Sequence, residues 1–303
     1  MPYIIGLVFL VATFFLLSVD SVDTQSRTGR ELWNLGHIGY FFLLVYLVGY
    51  LPPLKKVSMA KLSIGLIVIS LVLGGLIELS QYATDRTPDI LDLVRDLTGV
   101  FLALIFLGRY NGWLKRRPLN SLKTTVVILL VWLTIPLAKA LADEIIAYRQ
   151  FPVLANNDTP FELDRWGGNA DIEIVQIDST NLLKLQLTPG KQYPGTGLVY
   201  FPGDWSGYKL LVIRLLNPAV EPLEMTIRVH DRAHETSFLY RDRFHQGFRI
   251  RPGWNDLEIE LSEIEKAPED RDMNMQQISE LIVFTNRLTQ NKTLFIDEIY
   301  LTR

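Results

Sequence analysis

The 303-residue sequence predicts a multi-domain protein: an all-α transmembrane helix bundle of five spans followed by an all-β sandwich. Two observations carry that prediction. The first 142 residues hold thirteen Lys/Arg against eight Asp/Glu in a mostly apolar background, whereas the remaining 161 hold seventeen against twenty-five. Apolar runs of spanning length fill the first part, and short β-branched runs punctuated by Gly, Pro and Asn fill the second. A purely cytosolic enzyme is excluded.

Hydrocarbon about 30 Å thick needs on the order of 20 apolar helical residues. Five runs meet that length: Tyr3–Val19, Leu32–Leu51, Leu62–Gln81, Asp89–Leu107 and Thr124–Ala142. The first lacks a basic segment before it and a small-residue cleavage pattern, since Ser18-Val19-Asp20 follows Leu17, so it reads as an uncleaved helix. Lys55, Lys56 and Lys61 lie between the second and third runs, and Arg109, Lys115, Arg116, Arg117 and Lys123 between the fourth and fifth; neither loop contains an acid. Positively charged loops stay cytoplasmic. The expectation is a multi-pass protein of the cytoplasmic membrane with its N-terminus inside and everything after Ala142 periplasmic or extracellular.

Ionisable groups are costly in hydrocarbon and mark functional candidates. Here they gather near one leaflet: Trp33, Asn34 and His37 on the second run, Glu78, Gln81 and Tyr82 ending the third, and Asp89, Asp92, Arg95 and Asp96 opening the fourth. Glu78 and Gln81 share a helix face, as do Asp89, Asp92 and Asp96. Thr87 as cap, Pro88 at the first position and early acids are ordinary helix-start chemistry, which accounts for Asp89. Asp92, Asp96 and Glu78 lie deeper. They form either a buried ion-pair network with Arg86 and Arg95 or a substrate or proton site.

The run Glu78-x-x-Gln81, Arg86, Asp92, Asp96 and Gly99 resembles the core motif of VanZ-like membrane proteins, E-x-x-Q, an Arg, an Asp six residues on, then N-x-x-G. His37 with Tyr40 is similar to that family's H-x-x-Y segment. Asp96 stands where the family usually has Asn, and Trp33 where an acid often precedes the His. The resemblance covers about Leu32–Leu107. It implies an envelope role, with one branch related to glycopeptide-antibiotic resistance.

Beyond the fifth span, Asp143–Gln150 extends the helix into water, and residues 143–160 as a whole, with Pro152, Asn156, Asn157, Asp158 and Pro160, read as a linker. The strand-like runs are Ala170–Ile177, Leu182–Leu187, Leu198–Phe201, Tyr208–Leu215, Leu223–His230, Ser237–Asp242, Gly247–Ile250, Asp256–Leu261, Glu280–Thr285 and Thr293–Leu301, with short turns at Ser262–Glu265 and Met275–Ile278. That spacing indicates an antiparallel sandwich. Phe161-Glu162 with Trp166, Trp205-Ser206-Gly207-Tyr208, Ile227-Arg228-Val229-His230-Asp231, Gly253-Trp254-Asn255 and Leu294-Phe295-Ile296-Asp297-Glu298-Ile299 together resemble the galactose-binding-like jelly roll of many carbohydrate-binding modules, over residues 161–303.

Sugars are held by aromatic faces and by charged or amide groups that bond hydroxyls. The candidates are Trp205, Tyr208, His230, Asp231, Tyr240, Arg243 and His245, with Arg232 and Asp242 beside them. Trp205, Tyr208 and Trp254 read equally as core or corner residues. His230 and Asp231 are adjacent, so only one can line a given face of a strand. The jelly-roll resemblance further implies that Glu162 and Asp297 meet at a structural calcium; the alternative is that Asp297 pairs with a neighbouring Arg or caps a turn.

The chain contains no cysteine, which excludes disulfides, thiolate metal sites and cysteine nucleophiles. No nucleophile-elbow, zincin, Walker or dinucleotide motif appears, and the acidic second part disfavours nucleic acid. The leading expectation is therefore an envelope protein whose polar cluster engages a lipid or lipid-linked precursor while its outer sandwich binds carbohydrate. Two alternatives remain: a membrane enzyme using His37, Glu78 and Asp92 on a lipid-linked substrate, or an anchor whose sandwich docks an envelope protein.

Overall fold

The computed structural model describes residues 26–49, 51, 54, 56–82, 89–107, 110, 115–286 and 288–303, apart from the side chains of Glu78, Ser80, Gln81 and Tyr82. It divides the chain into two compact units, Met1–Lys139 and Ala140–Arg303. The expected first span, Tyr3–Val19, and Arg86 lie outside the described residues.

The first unit contains α1 (Arg27–Val48), α2 (Met59–Tyr82) and α3 (Ile90–Phe106); α4 (Arg116–Gln150) begins here and ends in the second unit. Among the described residues, three helices, Arg27–Val48, Met59–Ile77 and Arg116–Gln150, are long and apolar enough to cross a membrane. Ser26 caps α1 by accepting the Gly29 N–H at 2.9 Å. Asp89 caps the 17-residue α3, accepting the Leu91 N–H at 2.9 Å, and so performs the role expected of Thr87. α1 and α3 pack closely because Gly99 presents no side chain: a Cβ there would collide with the Ile38 carbonyl. α4 carries Pro136 within its length and reaches Gln150, so the fifth run is longer at both ends than its apolar core.

The second unit is a sandwich of two antiparallel sheets. One holds β1 (Val153–Ala155), β3 (Asp171–Ile177), β4 (Thr180–Leu187), β6 (Leu210–Asn217), β9 (Gly253–Glu260) and β11 (Lys292–Thr302), in the order β3-β4-β11-β6-β9 with β1 beside β11. The other is β2-β5-β10-β7-β8, formed by β2 (Trp166–Gly168), β5 (Gly195–Leu198), β7 (Leu223–Asp231), β8 (Phe244–Ile250) and β10 (Ile278–Phe284). The two-residue side-chain period sends Leu223, Met225, Ile227 and Val229 of β7 inward against Leu211, Ile213 and Leu215 of β6. Each such burial contributes roughly 1.5–3 kcal/mol. Helical turns α5 (His234–Ser237) and α6 (Leu261–Glu265) close the connections.

Several expectations change. Residues 143–160 belong to the sandwich: Val153 pairs with Tyr300 of β11, and the Asp143 carboxylate takes Nε and Nη2 of Arg165 at 2.8–3.0 Å, with both side chains at most 1% exposed. Ser237–Asp242 is not a strand. There Asp231 accepts the His234 N–H, Ser237 Oγ donates to Asp242, and such local bonds compete with a ladder. The strand expected at Leu198–Phe201 runs instead over Gly195–Leu198, where it pairs with both β2 and β10. Ile278 opens β10 rather than ending a turn.

Candidate functional site

The outer face of the sheet β2-β5-β10-β7-β8 forms a groove of about 610 Å³. Register places its floor in rows. Gly197, Ile282, Arg228 and His245 stand side by side across β5, β10, β7 and β8, and Gly195, Phe284, Thr226 and Gly247 form the next row. The floor is low where β5 has glycine. A Cβ on Gly195 would collide with Phe284, and one on Gly197 would stand 2.7 Å from Glu280 Oε1. At Gly247 a Cβ would meet nothing within 4 Å, because that position opens directly onto the groove.

Two exposed tyrosines flank the floor. Tyr193, 55% exposed, meets Phe284 edge-on at 5.6 Å. Tyr240, 64% exposed, has its ring 4.2 Å from that of His245, and the Arg243 guanidinium lies 4.9 Å from its centroid. Aromatic faces backed by charged groups suit ligands with both C–H surface and hydroxyls.

A polar chain, buried at Asp231 and His234 and half-buried at Arg271 and Asp242, reaches Arg228 of the groove. Arg271 donates to both Asp231, at 2.5 and 2.7 Å, and Asp242, at 2.6 Å. Burial works against ionising both aspartates, yet the Arg271 hydrogen bonds outweigh it and hold both below the usual carboxylate range. His234 Nδ1 faces Asp242 at 3.7 Å, and its Nε2 meets Arg228 Nη2 at 3.1 Å. A guanidinium can only donate, so Nε2 is the acceptor and the neutral ring carries its proton on Nδ1. Burial, reinforced by Arg228, pushes His230 down to about 3. Its 3.6 Å approach to Glu280 is therefore neither a hydrogen bond nor an ion pair near neutral pH. Burial raises Glu280, with Arg228 opposing, and lowers His245, with Arg243 adding to the effect.

The sequence candidates thus separate. Tyr240, Arg243 and His245 line the groove. His230 is buried beside it, with Nδ1 unpartnered. Asp231 is fully buried and engaged by Arg271, so it lies beneath the site rather than in it. Trp205 is fully buried in the core against Phe201, contrary to a ligand-stacking role in the groove. It and Tyr208 border a separate depression with Glu260 and Arg303. Trp254 is half exposed under the Arg214 guanidinium. Arg228, Glu280, Tyr193 and the floor glycines were not among the candidates. The alternation Gly195-Thr196-Gly197 after Gly167-Gly168 is the signal that marks them, since glycine inside a strand marks close approach of a ligand or another backbone.

Glu162 and Asp297 each have partners of their own among the described residues. Glu162 accepts the N–H groups of Asn156 and Thr159 at 2.9 and 3.2 Å and faces Arg165 at 3.7 Å, whereas the Asp297 carboxylate faces Arg214 at 3.4 Å. The Asn157 amide donates to the carbonyls of Ile296 and Asp297 between them.

In the helical unit, His37 Nδ1 and Asp96 Oδ1 meet at 2.9 Å, both nearly inaccessible. Gly74 of α2 lies over the other Asp96 oxygen, so three helices meet at this carboxylate. Arg95 pairs with Asp92, and with Asp89 at 3.5 Å. Tyr40 is buried edge-on to Phe41. His37–Asp96 and Arg95 with Asp92 and Asp89 are thus paired in this region, whereas Arg86 and the side chains of Glu78 and Gln81 lie outside what the structure describes.

No family model matches this chain, and no curated protein matches it. Among solved structures it is similar to a family 11 carbohydrate-binding module from Clostridium thermocellum in complex with a β-1,3-1,4-mixed-linked tetrasaccharide, at 15% identity and TM-score 0.38, covering 50% of this chain and 94% of that one. It is similar to an exo-β-agarase at 16% identity and TM-score 0.38, covering 50% of this chain and 25% of that one. A family 30 carbohydrate-binding module of the C. thermocellum cellulosomal cellulase CEL9D-CEL44B follows at 14% identity and TM-score 0.33, covering 45% of this chain and 86% of that one.

Proposed function

We propose that this is a membrane-anchored glycan-binding protein whose sandwich holds a sugar chain in the groove over β5, β10, β7 and β8. One observation supports the reading above the others: a glycine-lowered sheet face flanked by two largely exposed tyrosines, with guanidinium, imidazole and carboxylate groups between them. Sugar rings would lie on Tyr240 and Tyr193 while Arg228, Arg243, His245 and Glu280 bond hydroxyls. Screening the full chain in detergent against immobilised glycans tests it. Saturable binding that falls at least roughly tenfold, about 1.4 kcal/mol, in Tyr240→Ala is expected; absence of binding to every glycan, or binding indifferent to both tyrosines, would overturn it.

In this reading the helical part is a five-span, VanZ-like anchor with a cytoplasmic N-terminus and the sandwich outside, as the loop charges favour. The His37–Asp96 pair is where it would engage a lipid-linked precursor, because it is the buried ionisable pair at which three helices meet. Reporter fusions on either side of α4 test the orientation. Loss of envelope phenotype in Asp96→Ala, with membrane levels intact, tests the site.

A further inference from the structure

We infer that the groove is built for an acidic glycan, a sugar chain bearing carboxylate groups, with its acid seated between Arg228 and Arg243. The inference rests on the glycan reading of the groove. It starts from an imbalance of charge. The residues after Ala142 carry seventeen basic against twenty-five acidic side chains, and several arginines elsewhere in the sandwich are matched to acids: Arg165 to Asp143, Arg271 to Asp231 and Asp242, Arg214 to Asp256 and Asp297. Arg228 and Arg243 are the exceptions on the groove. Among the described residues neither has a carboxylate within 4.0 Å, and the buried Nε–H of each has no hydrogen-bond partner.

The two cations are close enough for each to depress the protonation of its neighbours: Arg243 lowers Arg228 after burial itself, and both bear on His230, His234 and His245. Glu280, the one acid among the described residues lining the groove, has its Oε1 over Gly197 of β5, and burial raises its pKa with Arg228 opposing. The histidines are pushed neutral. Arg228 and Arg243 are therefore left as a positive centre in an otherwise acidic domain. A guanidinium in a half-buried groove is best satisfied by a planar carboxylate, which takes two parallel N–H bonds. A neutral polysaccharide offers only hydroxyls there.

The test is titration of the full chain in detergent with an oligogalacturonate, its methyl-esterified form and a neutral mixed-linkage β-glucan oligosaccharide. The acidic oligomer should bind roughly 10-fold to 100-fold more tightly than its methyl ester, and added salt should weaken it. Arg243→Gln and Arg228→Met should each remove most of that preference, with thermal unfolding confirming that the variants fold. Equal affinity for the acidic and esterified forms, or tighter binding of the β-glucan, would overturn the inference and leave the glycan reading standing. Binding of none of the three, in a protein that also retains no immobilised glycan, would overturn both.

Discussion

Asp143 sits in the last two turns of α4, yet its carboxylate is the counter-ion of the buried Arg165, which also donates to the Leu154 carbonyl of β1 at 3.2 Å. Asp143→Ala removes three charge-assisted contacts of 2.8–3.0 Å around a side chain with no solvent exposure. Breaking a buried pair on one side costs about 3–5 kcal/mol. Glu162, 3.7 Å from Arg165, remains as partial compensation, so the low end applies, about 3 kcal/mol. That is a large part of a typical stability of about 5–15 kcal/mol, and for a domain of this size it lowers Tm by roughly 6–12 °C. Thermal unfolding of the full chain in detergent, followed by the fluorescence of buried Trp166 and Trp205, measures it. Replacing the pair by Asp143→Leu with Arg165→Met should recover most of the loss. The reasoning fails if Asp143→Ala melts within about 2 °C of the parent, or if the double variant is no better than the single one. The same pairing predicts that a fragment starting at 140 folds, whereas one starting at 161, which lacks Asp143 and β1, does not.

Three further outcomes are expected. His230 is held neutral down to about 3, well below an unfolded imidazole near 6.5, so the unfolded chain binds the extra proton between those values. Sandwich stability is then complete above about pH 6.5 and falls as pH drops towards 3; melting curves at pH 7.5 and 5 should differ, and His230→Gln should flatten the difference. Gly247→Val should fold at least as well as the parent, since its Cβ meets nothing, yet abolish glycan binding by filling the groove, read by melting and titration on the same sample. Gly99→Leu should prevent assembly of the helical unit by separating α1 from α3, seen as loss of monodisperse protein in detergent.

Periodicity made most of the architecture legible. Helical runs at Leu32, Leu62, Asp89 and Thr124, and β-branched alternation from Ala170 onward, placed nearly every element within a few residues. What escaped depended on partners distant in sequence. β1 is three residues long and exists because β11 offers an edge, which nothing in Val153-Leu154-Ala155 announces. Trp205 and Tyr240 are both aromatic residues in polar surroundings, and only the packing of Phe201 and the core around one of them separates a buried tryptophan from an exposed tyrosine. Arg228 lay in a quoted segment without being singled out, because its significance is a buried Nε–H with no hydrogen-bond partner among the described residues, a property of the fold rather than of the motif.

The polar chain that ends on Arg228 gives that arginine its direction. Asp231 and Asp242 fix Arg271, Asp242 also faces His234 Nδ1, and the neutral His234 ring turns its one acceptor towards Arg228 Nη2. Nη2 is thereby committed inward, so the guanidinium is oriented before any ligand arrives. Long side chains lose about 0.5–1.5 kcal/mol each when a ligand must immobilise them, and an arginine already fixed from below avoids most of that cost. Protonating His234 would convert its acceptor into a donor facing a cation, which is why burial and Arg228 both press that ring towards neutrality. Arg271, which touches no groove surface, should therefore matter to binding through orientation: Arg271→Met should weaken the acidic oligomer less than Arg228→Met does, and should steepen the loss of affinity on acidification, whereas a merely stabilising role would leave the pH profile of binding unchanged.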